Sequence, residues 1–108
     1  MIEMTRTKNW ELPAIFALYR RAFPPSERKP FSIIVKMART GRVDLWTFRR
    51  GGRFAGFAAT VNGWELVMLD YFAVSPALRG RGIGRTVLPL IRDRYADAIF
   101  FLEIERPV

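Results

Sequence analysis

The segment Leu69-Asp70-Tyr71-Phe72-Ala73-Val74-Ser75-Pro76-Ala77-Leu78-Arg79-Gly80-Arg81-Gly82-Ile83-Gly84 constrains the fold more than any other part of the sequence. An apolar strand runs into a proline, an arginine–glycine turn follows, and an apolar helix begins. The alternating glycines cost backbone entropy that a plain turn does not require. They also strip side chains from a turn that opens a helix. Bare main-chain N–H groups at the positive end of a helix dipole make a site for a phosphate or pyrophosphate.

The rest of the chain predicts a mixed α/β fold around this segment. Residues Ile2 to Thr7 read as a first strand. Asn9 is a suitable helix N-cap, and Leu12, Ile15, Phe16, Tyr19 and Phe23 recur at helical spacing, so a first helix is predicted from about Trp10 to Ala22. Pro24-Pro25 stops it, and Ser26-Glu27-Arg28-Lys29-Pro30 reads as an exposed connector. Ile33, Ile34, Met37 and Ala38 predict a second helix that Gly41 ends. Asp44 to Arg50, Phe54 to Val61 and Trp64 to Val74 then read as an antiparallel meander, with Gly51-Gly52 and Asn62-Gly63 as tight turns. Ile83, Val87, Leu88 and Ile91 line a helix ending near Tyr95, and Pro89 within it predicts a kink or a later start. A strand from Ala98 to Glu105 completes a strand–helix–strand unit, which favours a right-handed parallel crossover. Trp10, Phe16, Trp46 and Trp64 are expected in the core or on a sheet face.

Composition narrows the chemistry. A chain of 108 residues, half of them hydrophobic, reads as one domain spanning 1–108 with a packed core. It has no cysteine and no histidine, which excludes disulfides, thiolate nucleophiles, histidine-based triads and zinc sites with nitrogen or sulfur ligands. No metal is expected. The absence of cysteine fits a reducing cytosol, the start of the chain does not read as a signal peptide, and no apolar run is long enough to span a bilayer. There are 18 Lys and Arg against 10 Asp and Glu, a net charge of +8. The basic residues are nearly all arginines and are spread along the chain. A small basic nucleic-acid-binding protein is therefore an alternative, although no compact basic run with interleaved aromatics supports it.

Two familiar glycine motifs do not fit. A P-loop requires Lys and then Ser or Thr after its last glycine, whereas Arg85 follows Gly84. The dinucleotide fingerprint needs one more residue between its second and third glycines than Gly82 and Gly84 allow. The segment instead resembles the GNAT superfamily of acyl-CoA-dependent N-acyltransferases. The signature Arg/Gln-x-x-Gly-x-Gly/Ala, after a strand ending in Val-x-Pro, is matched by Val74, Pro76, Arg79, Gly82 and Gly84, and Gly80 and Ile83 match its commoner form. The order of predicted elements extends the resemblance over most of the chain.

The resemblance implies an N-acetyltransferase that moves an acetyl group from acetyl-CoA directly to a primary amine. Main-chain N–H groups from about Arg81 through Gly82, Ile83, Gly84 and Arg85 to Thr86 would hold the pyrophosphate of coenzyme A. The backbone of Phe72, Ala73 and Val74 would pair with the pantetheine arm like an added strand. The thioester would lie where the sheet splays just after Val74, at a bulge. Arg79, Arg81 and Arg85, around Gly80, would attract the anionic cosubstrate. The CoA thioester and an unidentified amine are thus the expected partners.

Relative to the family, the chain lacks a C-terminal helix and the last strands, which often carry the acid that protonates the thiolate. A CoA-binding fragment without turnover is therefore a second reading. The apolar terminal strand, Phe100 to Glu105, predicts a homodimer through that edge. Among candidate bases, the family's glutamate position holds Met68. Asp70 is expected on the same face as Met68, Phe72 and Val74, acting through water. Glu103 and Glu105 share a face of the next strand, with Glu103 the second catalytic candidate. Tyr71 and Tyr95 read as packing residues rather than acids.

Overall fold

The two central strands are buried on both faces, and that decides the architecture. A computed structural model describes residues 2–63, 66–95 and 99–102. In it β2 (Val43–Arg50) is buried from Val43 to Phe48, and β3 (Arg53–Asn62) from Ala55 to Thr60. Antiparallel sheets commonly leave one face wet; here helices cover both. On one side α1 (Leu12–Ala22) and α2 (Phe31–Arg39) set Ile15, Leu18, Tyr19 and Ile34 against Val43, Leu45, Phe57 and Ala59. On the other, α3 (Ile83–Arg94) sets Ile83, Val87 and Ile91 against Trp46, Phe48 and Ala58.

The sheet order is β1-β2-β3-β4-β5, with β1 at Ile2–Arg6, β4 at Leu66–Val74 and β5 at Ile99–Leu102. The first four strands are antiparallel neighbours and β5 joins β4 in parallel. The antiparallel part is therefore one strand wider than the predicted meander, because β1 returns to pair with β2. The predicted dimer edge rests partly on residues 103–105, outside the described residues, as does Trp64.

Several local expectations are corrected. Asn9 does not cap α1. It opens a 3-10 turn, Asn9–Glu11, in which the buried Glu11 accepts from the Lys8 amide at 2.8 Å and pairs with Arg49. Asn62 still belongs to β3. The second hairpin closes around Gly63, whose amide donates to the Leu66 carbonyl at 2.7 Å, so that turn is longer than two residues. α3 begins at Ile83 and runs through Pro89. Pro89 and Arg85, whose carbonyl loses its helical partner, are both exposed, so the unpaired carbonyl is not buried. Trp46 is core, but Trp10 is 69% exposed under the Arg49 guanidinium, and Phe16 is 40% exposed against Phe31 and Arg20.

A buried polar knot fastens the end of α3 to the sheet. The Tyr95 hydroxyl donates to Asp44 Oδ2 at 2.6 Å and meets Trp46 Nε1 at 2.9 Å and Thr60 Oγ1 at 2.7 Å. Arg6 donates to the other Asp44 oxygen at 2.8 Å. Burial pushes the Tyr95 hydroxyl up to about 12, and its bond to Asp44 acts in the same direction. For Asp44 burial acts upward, but the bonds from Tyr95 and Arg6 outweigh it and hold the carboxyl below its ordinary value. A carboxyl depressed on folding contributes stability above its unfolded pKa, and that contribution is lost as pH falls through the folded value. Asp44→Asn is expected to lower stability at neutral pH by about 1–3 kcal/mol and to flatten the acid limb of stability against pH, read from denaturant titrations. Gly56 is expected to tolerate no side chain, since a Cβ there would lie 2.3 Å from the Ala73 carbonyl oxygen. Gly56→Ala should cost about 2 kcal/mol or more by the same measurement.

Candidate functional site

The end of β4 is held in place before the glycine turn begins. The Ser75 amide donates to the Ala55 carbonyl at 2.8 Å, and Pro76–Leu78 forms a 3-10 turn. Arg79 Nε then reaches back to the Val74 carbonyl at 3.2 Å. Gly80 and Gly82 have φ of +78° and +72°, in the left-handed region that side-chain-bearing residues rarely enter. Gly82 is the N-cap of α3, and its carbonyl accepts from both the amide and the hydroxyl of Thr86, each at 3.2 Å. The amides of Ile83, Gly84 and Arg85 precede that first helical bond and have no partner within the helix.

The side-chain side of the turn's glycines is open. A Cβ built on Gly80 or Gly82 meets nothing within 4 Å. Ile83 is buried and pins the helix start into the core, while Gly84 faces Phe72, 3.9 Å from where its Cβ would be. Arg79, Arg81 and Arg85 are exposed, and none makes an ion pair among the described residues. The turn thus joins open space, free main-chain donors and uncompensated positive charge, which are the requirements for binding a diphosphate.

Asp70 occupies an irregular position that the sequence alternation does not show. Ala59 pairs with Tyr71, but the next residue, Thr60, pairs with Leu69, leaving Asp70 as the extra residue of a β-bulge. This bulge lies within β4, on its β3 side and ahead of Val74, whereas the expected splay from β5 after Val74 falls beyond the described β5 residues. The bulge also divides the expected face. Tyr71 and Ala73 pack under α1 and α2, whereas Leu69, Phe72 and Val74 belong to the α3 side. Asp70 follows Tyr71, not Phe72 and Val74. The described β5 residues pair with Leu66–Leu69, the residues immediately before the bulge.

The connector between α1 and α2 lies against this bulge. The Tyr71 hydroxyl donates to the Glu27 carbonyl at 3.0 Å and accepts from the Lys29 amide at 3.2 Å. The Tyr19 hydroxyl donates to the Lys29 carbonyl at 2.7 Å, and burial pushes this phenol well above its ordinary pKa. Lys29 Nζ meets Asp70 Oδ2 at 2.5 Å. Sequence reasoning identified Asp70 but missed Lys29 as its partner, because the two are 41 residues apart with no local spacing to join them. Glu103 and Glu105 lie outside the described residues. A cavity of about 200 Å³, lined by Arg6, Asn9, Arg39 and Asp44 among others, shares no residue with β4 or the turn. Among the described residues no cluster of acidic side chains is able to hold a metal, and no helix is long and apolar enough to cross a membrane.

The model of the acetyltransferase (GNAT) family matches residues 12–107. Comparison with curated proteins finds no match. Among solved structures, a Bacteroides thetaiotaomicron protein assigned to the GNAT family superposes with a TM-score of 0.82 at 23% identity, covering 98% of this chain and 62% of that one. The ribosomal-protein-S18-alanine N-acetyltransferase of Escherichia coli gives 0.70 at 23% identity, covering 96% and 67%. A Clostridium acetobutylicum protein solved with acetyl-CoA gives 0.73 at 10% identity, covering 98% and 82%. The chain thus spans about three fifths of the first of these proteins. With the family match running from α1 past β5, the chain belongs to the GNAT acetyltransferase family.

Proposed function

We propose that this chain binds acetyl-CoA along β4 and the glycine turn and transfers the acetyl group to a primary amine. The observation that carries this reading is the start of α3. The amides of Ile83, Gly84 and Arg85 have no partner within the helix and follow the open Gly80–Gly82 turn, among three exposed arginines that make no ion pair among the described residues. The diphosphate of the cosubstrate meets those amides, and the thioester supplies an activated acetyl carbon. The Thr86 amide lies one bond deeper, committed to Gly82, and fixes the loop. The main chain of Phe72, Ala73 and Val74 supplies an edge for the pantetheine arm, and Gly84 leaves Phe72 uncovered on that side.

Direct transfer suits this composition. It needs no covalent enzyme intermediate, and the chain has no cysteine or histidine to form one. The amine must lose a proton to attack, and the Asp70 carboxylate, at the bulge, accepts it directly or through water. A main-chain N–H beside the bulge stabilises the developing oxyanion. The acceptor enters from the α1–α2 side, where the Glu27–Lys29 connector closes over Asp70.

Two variants separate coenzyme binding from folding. Calorimetric titration with acetyl-CoA is expected to show saturable binding, and Gly82→Glu to weaken it by about 100-fold, through backbone strain and a carboxylate facing the diphosphate. Absence of binding by the unaltered chain would overturn the reading; thiol release with a panel of amines then distinguishes turnover from binding alone. Gly84→Ala should behave oppositely. Its φ is ordinary and its Cβ meets Phe72 at ordinary contact distance. Thermal unfolding should show a gain of about 0.5–1 kcal/mol from reduced unfolded-state entropy, with coenzyme affinity unchanged.

A further inference from the structure

Lys29 lies in an exposed connector, yet every part of it is held. Its carbonyl and amide are gripped by the hydroxyls of Tyr19 and Tyr71, two buried residues of different elements. Its side chain passes over the Tyr71 ring, with the ammonium 5.6 Å from the ring centroid, and ends on Asp70. A carboxylate and an aromatic face together form a binding site for an alkylammonium group. A surface ion pair alone contributes little to stability, so this degree of positioning points to placement rather than to fastening.

The place is significant if the coenzyme reading above holds, on which this inference rests. From Val74, next to the glycine turn, back to the bulge at Asp70 the strand covers about 13 Å, the reach of an extended pantetheine arm. The thioester end then arrives at the position where Lys29 is held. We propose that Lys29 is itself an acceptor, and that the chain acetylates its own Lys29 side chain from acetyl-CoA with Asp70 positioning the amine. The Lys29 ammonium releases one proton to solvent through Asp70. The freed lone pair forms the C–N bond to the acetyl carbon as the C–S bond breaks. Sulfur leaves with that electron pair and takes up the second amine proton. The products are Nε-acetyl-Lys29, free coenzyme A thiol and one proton. Acetylation removes the charge on Lys29, dissolves its pair with Asp70 and opens the carboxylate to an amine from solution.

The chain contains its own controls, because its other lysines, Lys8 and Lys36, are exposed and make no described contact with Asp70. Incubation of the whole chain with acetyl-CoA, followed by peptide mass spectrometry, is expected to show Lys29 acetylated roughly tenfold or more faster than Lys8 and Lys36. The rate constant should not depend on protein concentration. Asp70→Asn should bring the Lys29 rate down to that of the other two lysines. Titration with coenzyme A alongside separates the possible failures. A chain that binds coenzyme A but modifies Lys29 no faster than Lys8 and Lys36 overturns this inference and leaves the coenzyme reading standing. A chain that binds none overturns both. Acceleration at Lys29 that rises with protein concentration shows transfer between chains and overturns the intramolecular step.

Discussion

One extra residue in β4 sets the arrangement of the site. Without the bulge, strict alternation would leave Leu69, Tyr71 and Ala73 on one face and Asp70, Phe72 and Val74 on the other. With Asp70 inserted, Tyr71 turns under α1 and α2 while Leu69, Phe72 and Val74 serve the α3 side. Both consequences matter. Tyr71 reaches the connector and fixes Glu27 and Lys29, and Phe72 fronts Gly84 at the start of α3. The same bulge sends the Asp70 carboxylate toward Lys29. A register without it would have to separate these contacts, because a shift by one residue moves a whole set of side chains across the sheet.

The electrostatics divide along the same line. Carboxylates in the interior are paired: Asp44 is held by Tyr95 and Arg6, and Glu11 by Arg49 and the Lys8 amide. Leaving either without a partner would cost several kcal/mol, so these groups are parts of the scaffold. The arginines of the glycine turn have no such obligation. They are exposed and unmatched by any described carboxylate, and their charge adds to the helix dipole rather than being cancelled locally. Much of the net charge of +8 is therefore spread over the surface, while its local concentration at the turn bears on an anionic ligand.

What the sequence disclosed, and what it withheld, follows from the range of each interaction. Helices with a clean 3.6-residue stripe were legible: Ile15 and Tyr19 of α1 and Ile83, Val87 and Ile91 of α3 all point into the core. So was the strand–turn–helix order, since Gly80 and Gly82 do adopt positive φ. Features that depend on pairing across the fold were not. The bulge at Asp70 appears only in the register against β3, and the Lys29–Asp70 contact joins segments with no local relation. Trp10 and Phe16 look like core by composition, and Phe16 shares the spacing of the α1 stripe, but both are exposed and an arginine lies against each ring instead. Asn9 has the better capping side chain, yet the Glu11–Arg49 pair holds the entry to α1 in a 3-10 turn, moving the helix start beyond it.

The glycines show how a fold constraint and a ligand constraint can be told apart in one chain. Gly56 is demanded by the protein itself, because its Cβ would collide with the carbonyl of Ala73 across the hairpin. Gly80 and Gly82 are demanded by backbone conformation, but no described residue lies within 4 Å of where their Cβ atoms would be. Their openness is thus free of any packing role. Gly84 is demanded by neither: its conformation suits any residue, and an added methyl group would rest on Phe72 at ordinary contact distance. In a helix, glycine at such a position costs roughly 0.5–1 kcal/mol relative to alanine. Neither packing nor backbone geometry repays that cost, and access to the amides of Ile83, Gly84 and Arg85 rests on Gly80 and Gly82 rather than on Gly84.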